Sequence, residues 1–329
     1  MMSRKEFLLS AAGGMAGVAV SSRVQAQDLV PRFWAAIAYL TQANHFTPWV
    51  FGAGLANNVD CGHDEDELAA LEPVEASNWA MMILAAQALS VDPRDLYGRD
   101  LVAGLTAALA ATHTLNADAW GVIALREVGM PISHPLLVEC RDRMISAFVT
   151  NQGWGGDVSQ PNSNDTAAVL LALSSLGLNF TAPVVASGFS ALALYQNPDG
   201  GMALAMGAES DSCSDAWAAA ACQSFGLDCQ SFFAADRPTV ISHLVGLQQA
   251  DGSFNHTATQ AGNPVFRATA TAYALVALAG KTWPTTLGSQ PNPDPVTVKM
   301  PLCPWPLVMA LGGLGCLARW RQIRLNQKP

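Results

Sequence analysis

The feature that most restricts this chain is a set of alanine- and leucine-rich runs, each closed by a glycine. "WGVIALREVG" ends at Gly129, "VLLALSSLG" at Gly177, "AAACQSFG" at Gly226 and "YALVALAG" at Gly280, roughly 50 residues apart. "NWAMMILAAQALS" is an earlier, shorter copy. Each run is about three turns long, apolar nearly all round, and closed where a left-handed cap is needed. Such helices have to be buried on every side. Between them the pattern predicts helices with one polar face over 33–43, 97–113, 135–149, 183–196 and 237–249. Three of these run into glycine turns, "NQGWGG" at 151, "QNPDGGM" at 196 and "QQADGSF" at 248. In such turns glycine supplies a positive φ and Asp bonds its own backbone. Five amphipathic helices alternating with five apolar ones bury the apolar set only inside a ring of the others. The expected fold is all-α: an α/α toroid, a double-layered barrel of about five helix hairpins, over residues 27–287.

Both ends of the chain read as lying outside that domain. Residues 1–26 have a basic start at Arg4 and Lys5, an apolar glycine-rich middle and the small-residue cleavage site Val24-Gln25-Ala26, the pattern of an export signal. Lys5 stands where a twin-arginine signal has its second arginine. A proline-rich linker at 288–299 leads into an uncharged apolar run, 300–318, and then a basic tail, 319–329, with Arg319, Arg321, Arg324 and Lys328. Those features predict a C-terminal transmembrane helix as membrane anchor, with a cytoplasmic tail. The expected location is therefore the bacterial periplasm or cell surface. Residues 27–318 hold 10 basic and 25 acidic groups, a balance that excludes nucleic acid as a partner. The exported part carries Cys61, Cys140, Cys213, Cys222 and Cys229. Cys222 with Cys229 or Cys213 are the local pairs for a disulfide, and the odd number leaves a free thiol.

The turns "QNPDGGM" and "QQADGSF", placed after amphipathic helices, resemble the glutamine–aromatic repeats of squalene and hopene cyclases and the related repeats of protein prenyltransferase β subunits. The resemblance covers about residues 31–283 and implies the toroid fold. It implies little about activity, because that fold hosts cyclases, prenyl transferases, corrinoid carriers and thioester proteins.

With the closing glycines aligned, the inner helices open on Asp118, Thr166, Asp215 and Thr269, read as N-caps, with Asp165 one residue before its column. Class II cyclases of the resembled family carry Asp-x-Asp-Asp-Thr-Ala at this helix start, and the middle acid protonates an alkene or epoxide. Here "NSNDTA" keeps Asp165, Thr166 and Ala167 but places Asn162 and Asn164 at the first two acid positions. An amide has no proton of useful acidity. Ordinary class II cyclisation is not expected, and Asp165, Asp118 and Asp215 are the candidate substitute acids. On the prenyltransferase side, Asp211-Ser212-Cys213 resembles a pair of zinc ligands. The third ligand there is a His early in the next inner helix, but "RATATAYALVAL" has none and His256 lies upstream in a loop. Neither metal nor cofactor is expected, with Asp211 and Cys213 the nearest approach to a metal site. "DCGHDEDE" at 60–67 joins thiol, imidazole and carboxylates, but reads as a solvated charge run. His113 and His134 are isolated.

Trp79, Trp120 and Trp217 sit at nearly the same point of three inner helices, joined by Tyr273. A ring of aromatics at one end of a barrel walls a pocket for a flat or isoprenoid ligand, or simply fills the mouth. Asn164 and Thr166 are counted among the ligand-contacting residues. The leading expectation is a binding module for an apolar or isoprenoid-like small molecule. Its rivals are a terpenoid cyclase or prenyltransferase-type enzyme using altered acids, and a surface scaffold with a filled barrel.

Overall fold

The computed structural model describes residues 24, 26–42, 47–57, 64–156, 160–233 and 237–283. The expected linker, apolar run and basic tail lie outside the described residues, as does the export segment as far as residue 23. Among the described residues no helix is long and apolar enough to cross a membrane, and strand pairing is limited to isolated bridges.

The described helices are α1 Ala26–Gln42, α2 Pro48–Asn57, α3 Glu65–Ala69, α4 Ala76–Ala88, α5 Leu101–Ala111, α6 Leu115–Glu127, α7 Pro135–Ser146, α8 Ser163–Ser175, α9 Pro183–Ala193, α10 Ser212–Ser224, α11 Cys229–Phe232, α12 Val240–Gly246 and α13 Pro264–Leu278. The inner ring is α2, α4, α6, α8, α10 and α13, each packed on the next, and α13 packs on α2 to close it. Outside, α1 lies on α13, α3 and α5 on α4, α7 on α6, α9 on α8 and α12 on α10. The inner set therefore numbers six among the described residues, not five. The extra member, α2, reads "PWVFGAGLAN" and lacks the closing glycine that marks α6, α8, α10 and α13. The repeat pattern therefore does not show it.

The closing residues adopt the geometry that the repeat implies. Gly129, Gly177, Gly226 and Gly280 have φ of 85°, 82°, 66° and 60°. The amide after each returns to a carbonyl five residues back, as Met130 does to Leu125 and Leu178 to Leu173. The shorter copy ends the same way with Ser90 at φ 60°, and Val91 N–H reaches Ala86 O. Outer helices show one buried stripe, Leu101, Leu105 and Leu109 on α5, or Leu137, Cys140 and Met144 on α7, at the spacing that puts side chains on one helix face. Four of the five predicted outer helices are too long at one or both ends, because the turn residues beside them continue the same pattern, whereas the first, over 33–43, starts too late, since α1 begins at Ala26. Neither of the local cysteine pairs is joined. Cys140, Cys213, Cys222 and Cys229 are all free and buried, so no disulfide joins the described cysteines.

Candidate functional site

The inner-helix N-termini and the glycine turns gather at one end of the ring. The true N-caps there are Thr114, Asn162, Asp211 and Asn263, which accept from the amides of Ala117, Asp165, Ser214 and Phe266. Asp118, Thr166 and Asp215 lie four residues inside, one turn deeper than expected, and Thr269 six inside, so none of them is a cap. Two of them hold the preceding glycine turn. Thr166 Oγ1 accepts from Trp154 N–H at 3.0 Å and Asp215 Oδ1 from Met202 N–H at 2.7 Å, while Thr271 Oγ1 does the same for Phe254 N–H at 3.0 Å. The residue after each turn has a buried amide that must find an acceptor, and the next inner helix supplies it.

Asp165 is likewise not the cap but the residue being capped: its N–H donates to Asn162 Oδ1 at 2.8 Å. Its own Oδ2 accepts from Asn162 Nδ2 at 2.6 Å and from Gly156 N–H at 2.7 Å. The carboxylate is committed to holding the loop that follows Trp154. Asn164 beside it is half-buried. Asp118 is also committed, since its two oxygens accept from Arg143 Nε at 2.8 Å and Nη2 at 2.6 Å.

Asp215 differs. It is fully buried, and its Oδ2 lies 2.6 Å from His243 Nδ1 on α12, whose Nε2 is 3.7 Å from Asp199. Burial raises the Asp215 carboxyl from 3.8 to about 6, against the hydrogen bonds from His243 and Met202. Burial also pulls His243 down, but the hydrogen bond and charge of Asp215, with Asp199 and Asp211 behind it, lift it above 6.5. Both shifts are upward, so the folded chain keeps protons that the unfolded chain has released, and stability falls as pH rises. The His243 contribution is complete below pH about 6.5 and is lost as pH climbs through its raised pKa. Thermal unfolding followed from pH about 6 to about 9 should show that loss. His243→Gln, which keeps a donor for Asp215 but cannot titrate, should flatten it.

A second cluster stands two residues before Asp215. One ligand atom each from Asp211, Cys213 and His256 lies within 4.8 Å of the others. The expectation that no histidine reaches this pair is corrected: the loop before α13 folds back, and Ser212 N–H donates to His256 O at 2.8 Å, fixing the imidazole beside the thiol. His256 Nδ1 is buried without a hydrogen-bond partner, 4.0 Å from Asp211 Oδ1, and the ring meets Phe266 edge-on. Burial, and then the charge of Asp211, push the Cys213 thiol far above its ordinary range. A dication would reverse that, because coordination deprotonates the thiol. Carboxylate, thiol and a partnerless imidazole nitrogen form a donor set that fits zinc.

Deeper in the ring three of the four aromatics meet on the axis and the fourth does not. Trp120, Trp217 and Tyr273 meet, with centroids 5.1 Å apart for the Trp pair and 4.7 Å for Trp217 and Tyr273. Trp79 instead points outward, its ring lying over Gly104 of α5. Two residues that the repeat pattern misses complete the cluster. Trp49 from α2 touches Trp120, Trp217 and Tyr273 at 4.9, 5.5 and 4.8 Å. Trp283, past the end of α13, lies 5.1 Å from Trp217. At this height side chains fill the ring. Burial raises the Tyr273 hydroxyl far above its usual range, and Trp217 lies one turn after Cys213 on α10, so the Asp211, Cys213 and His256 cluster and the aromatic cluster are neighbours.

A closed ring of paired helices with glycine turns at one end and an aromatic centre is an α/α toroid, the fold also found in terpenoid cyclases and protein prenyltransferases. A type II terpene cyclase, MstE from Scytonema, in its apo form, is similar with a TM-score of 0.58 and 15% identity, over 78% of this chain and 98% of that one. The Candida albicans protein geranylgeranyltransferase-I, complexed with GGPP, is similar with a TM-score of 0.50 and 12% identity, over 84% of this chain and 89% of that one. No family model and no curated protein matches the sequence. At these identities the likeness concerns the fold.

Proposed function

We propose that this chain is an exported, membrane-tethered toroid protein that binds an apolar, isoprenoid-like molecule in its aromatic centre and holds a zinc ion with Asp211, Cys213 and His256. The observation that carries the reading is the buried, partnerless Nδ1 of His256 beside a thiol and a carboxylate. That cluster adjoins the only large aromatic surface on the ring axis among the described residues. When bound, the metal supplies a positive charge that keeps Cys213 or an incoming thiol in its nucleophilic thiolate form. The chain's own residues do the rest. Asp211 orients α10 by capping it, with Oδ1 accepting from Ser214 N–H at 2.8 Å and Oδ2 from Ser214 Oγ at 2.7 Å. Trp120, Trp217 and Tyr273 exclude water from the centre. Class II cyclisation has no support here, since Asn164 offers no acidic proton and Asp165 is committed to Gly156 and Asn162. The GGPP in the fungal enzyme and the aromatic lining favour a polyprenyl group as the ligand class.

The filled scaffold is a second reading, favoured by the mutual contact of the rings. One experiment separates them. The purified full-length chain is expected to carry about one equivalent of zinc, lost in His256→Ala and in Cys213→Ser, and to quench its tryptophan fluorescence on addition of farnesol. A zinc-free wild type that ignores farnesol is a scaffold.

A further inference from the structure

Five aromatic side chains meet on the ring axis, and one of them does not come from a helix. Trp49, Trp120, Trp217 and Tyr273 are carried by inner helices that neighbours fix on both sides. Trp283 belongs to the short strap after α13. Gly280 turns the chain at φ 60°, Lys281 N–H closes on Val276 O at 3.1 Å, and Trp283 re-enters the centre with 1% of its surface exposed. The strap enters from the end where the inner helices finish, opposite the Asp211, Cys213 and His256 cluster. Its indole stacks on Trp217 at 5.1 Å and 29°, and meets Trp49 and Tyr273 edge-on at 5.2 and 5.6 Å. On α2 the absence of a side chain makes the seat, since a Cβ at Gly52 would lie 3.0 Å from the Trp283 ring.

Among the described residues, little besides this packing holds the strap. Among the described residues Thr282 and Trp283 make no backbone hydrogen bond, and the Thr282 hydroxyl is buried without a partner. An unmade buried hydrogen bond opposes the inserted state, because withdrawal returns that hydroxyl to water. Four rings are carried by inner helices and the fifth by a strap that, among the described residues, has no backbone hydrogen bond at Thr282 or Trp283, so the fifth is the one that an entering apolar molecule displaces.

We propose that Trp283 is an internal occupant of the central site, an indole that fills the space of an isoprenoid chain and withdraws to admit it. This rests on the isoprenoid-binding reading and adds its control. A site competent only when the strap is out binds with an affinity reduced by the fraction of open molecules, and removing the occupant removes that reduction.

The test is farnesol titration of the full-length chain labelled with 5-fluorotryptophan, the Trp283 fluorine signal being assigned from Trp283→Phe. In the wild type, farnesol should move the Trp283 signal to its solvent-exposed position. Trp283→Ala should bind farnesol about tenfold more tightly, or better. Equal affinity in the two, or farnesol bound with the Trp283 signal unmoved, overturns the occupant and leaves the isoprenoid reading standing. A folded Trp283→Ala that binds no farnesol overturns both. Should that variant not fold, Gly52→Ala carries the test, since it crowds the indole without emptying its seat. Tighter farnesol binding by Gly52→Ala supports the proposal, and unchanged or weaker binding refutes it.

Discussion

Gly200→Ala is expected to destabilise the protein by about 3–5 kcal/mol, measured as a drop in the denaturant midpoint at unchanged m-value. Two costs combine. Gly200 has φ 90°, a conformation that costs an L-residue about 1–2 kcal/mol. The larger cost is steric: a Cβ there would overlap the carbonyl oxygen of Pro238, and backbone cannot swing aside as a side chain can. The turn is held to that segment by Arg237, whose Nη1 donates to Gln196 O at 2.6 Å, while Gln196 Nε2 donates to Gly200 O at 3.0 Å. Relief of the overlap would therefore pull this repeat from the next one. Gly177→Ala is the control. Its φ is 82°, but its Cβ would meet nothing within 4 Å, so its cost is about 1 kcal/mol. Equal effects of the two would show that backbone conformation, not the approach to Pro238, is what these turns require.

That turn also shows what was legible in the sequence. Alanine-rich runs closed by glycine are a local signal, because a helix buried all round and a left-handed cap leave their mark on contiguous residues. The toroid followed from it. What stayed hidden depends on the chain returning to itself. Trp49 and Trp283 flank the repeats, and only ring closure by α2 and α13 puts them on the axis with Trp217. His256 reaches Cys213 through a loop whose fold no periodicity reports. The caps were misplaced by one turn for a different reason. Asp118, Thr166 and Asp215 recur in register with good capping chemistry, but they serve the preceding turn or the following outer helix. Asn162 and Asp211, the residues that do cap, stand in the sequence at a lost acid position and in a pair that only resembles zinc ligands. Trp79 shares the register of Trp120 and yet faces outward over Gly104, because sequence register does not give helix rotation.

The register does reveal an equivalence between Asp118 and Asp215. Each lies one turn inside its inner helix, and each pairs with a basic side chain on the following outer helix, Arg143 on α7 or His243 on α12. The pairs bind the two layers of the toroid at the same height in different repeats. The Asp215–His243 pair is the one expected to lose stability as pH rises, whereas the guanidinium of Arg143 keeps its charge through that range and its pair should not share the loss.

Arg143→Met is therefore expected to cost about 3–5 kcal/mol, because it strands the Asp118 carboxylate in the interior. Asp118 is 2% exposed and both of its oxygens rest on one guanidinium. The charge of Asp118 also helps to raise the buried Cys140 thiol to about 12, after burial itself. The methionine stem fills much of the arginine's volume, so the loss reports charge and hydrogen bonds more than packing. Asp118→Asn should be milder, since Arg143 is 24% exposed and keeps Glu139 at 2.9 Å. The decisive measurement is the double variant. Asp118→Leu with Arg143→Met removes both charges and should recover to within about 1–2 kcal/mol of the wild type, as buried ion pairs replaced by apolar groups commonly do. A double variant as unstable as the sum of the two singles would mean that Asp118 and Arg143 act through separate contacts and that the layers are not joined by this pair.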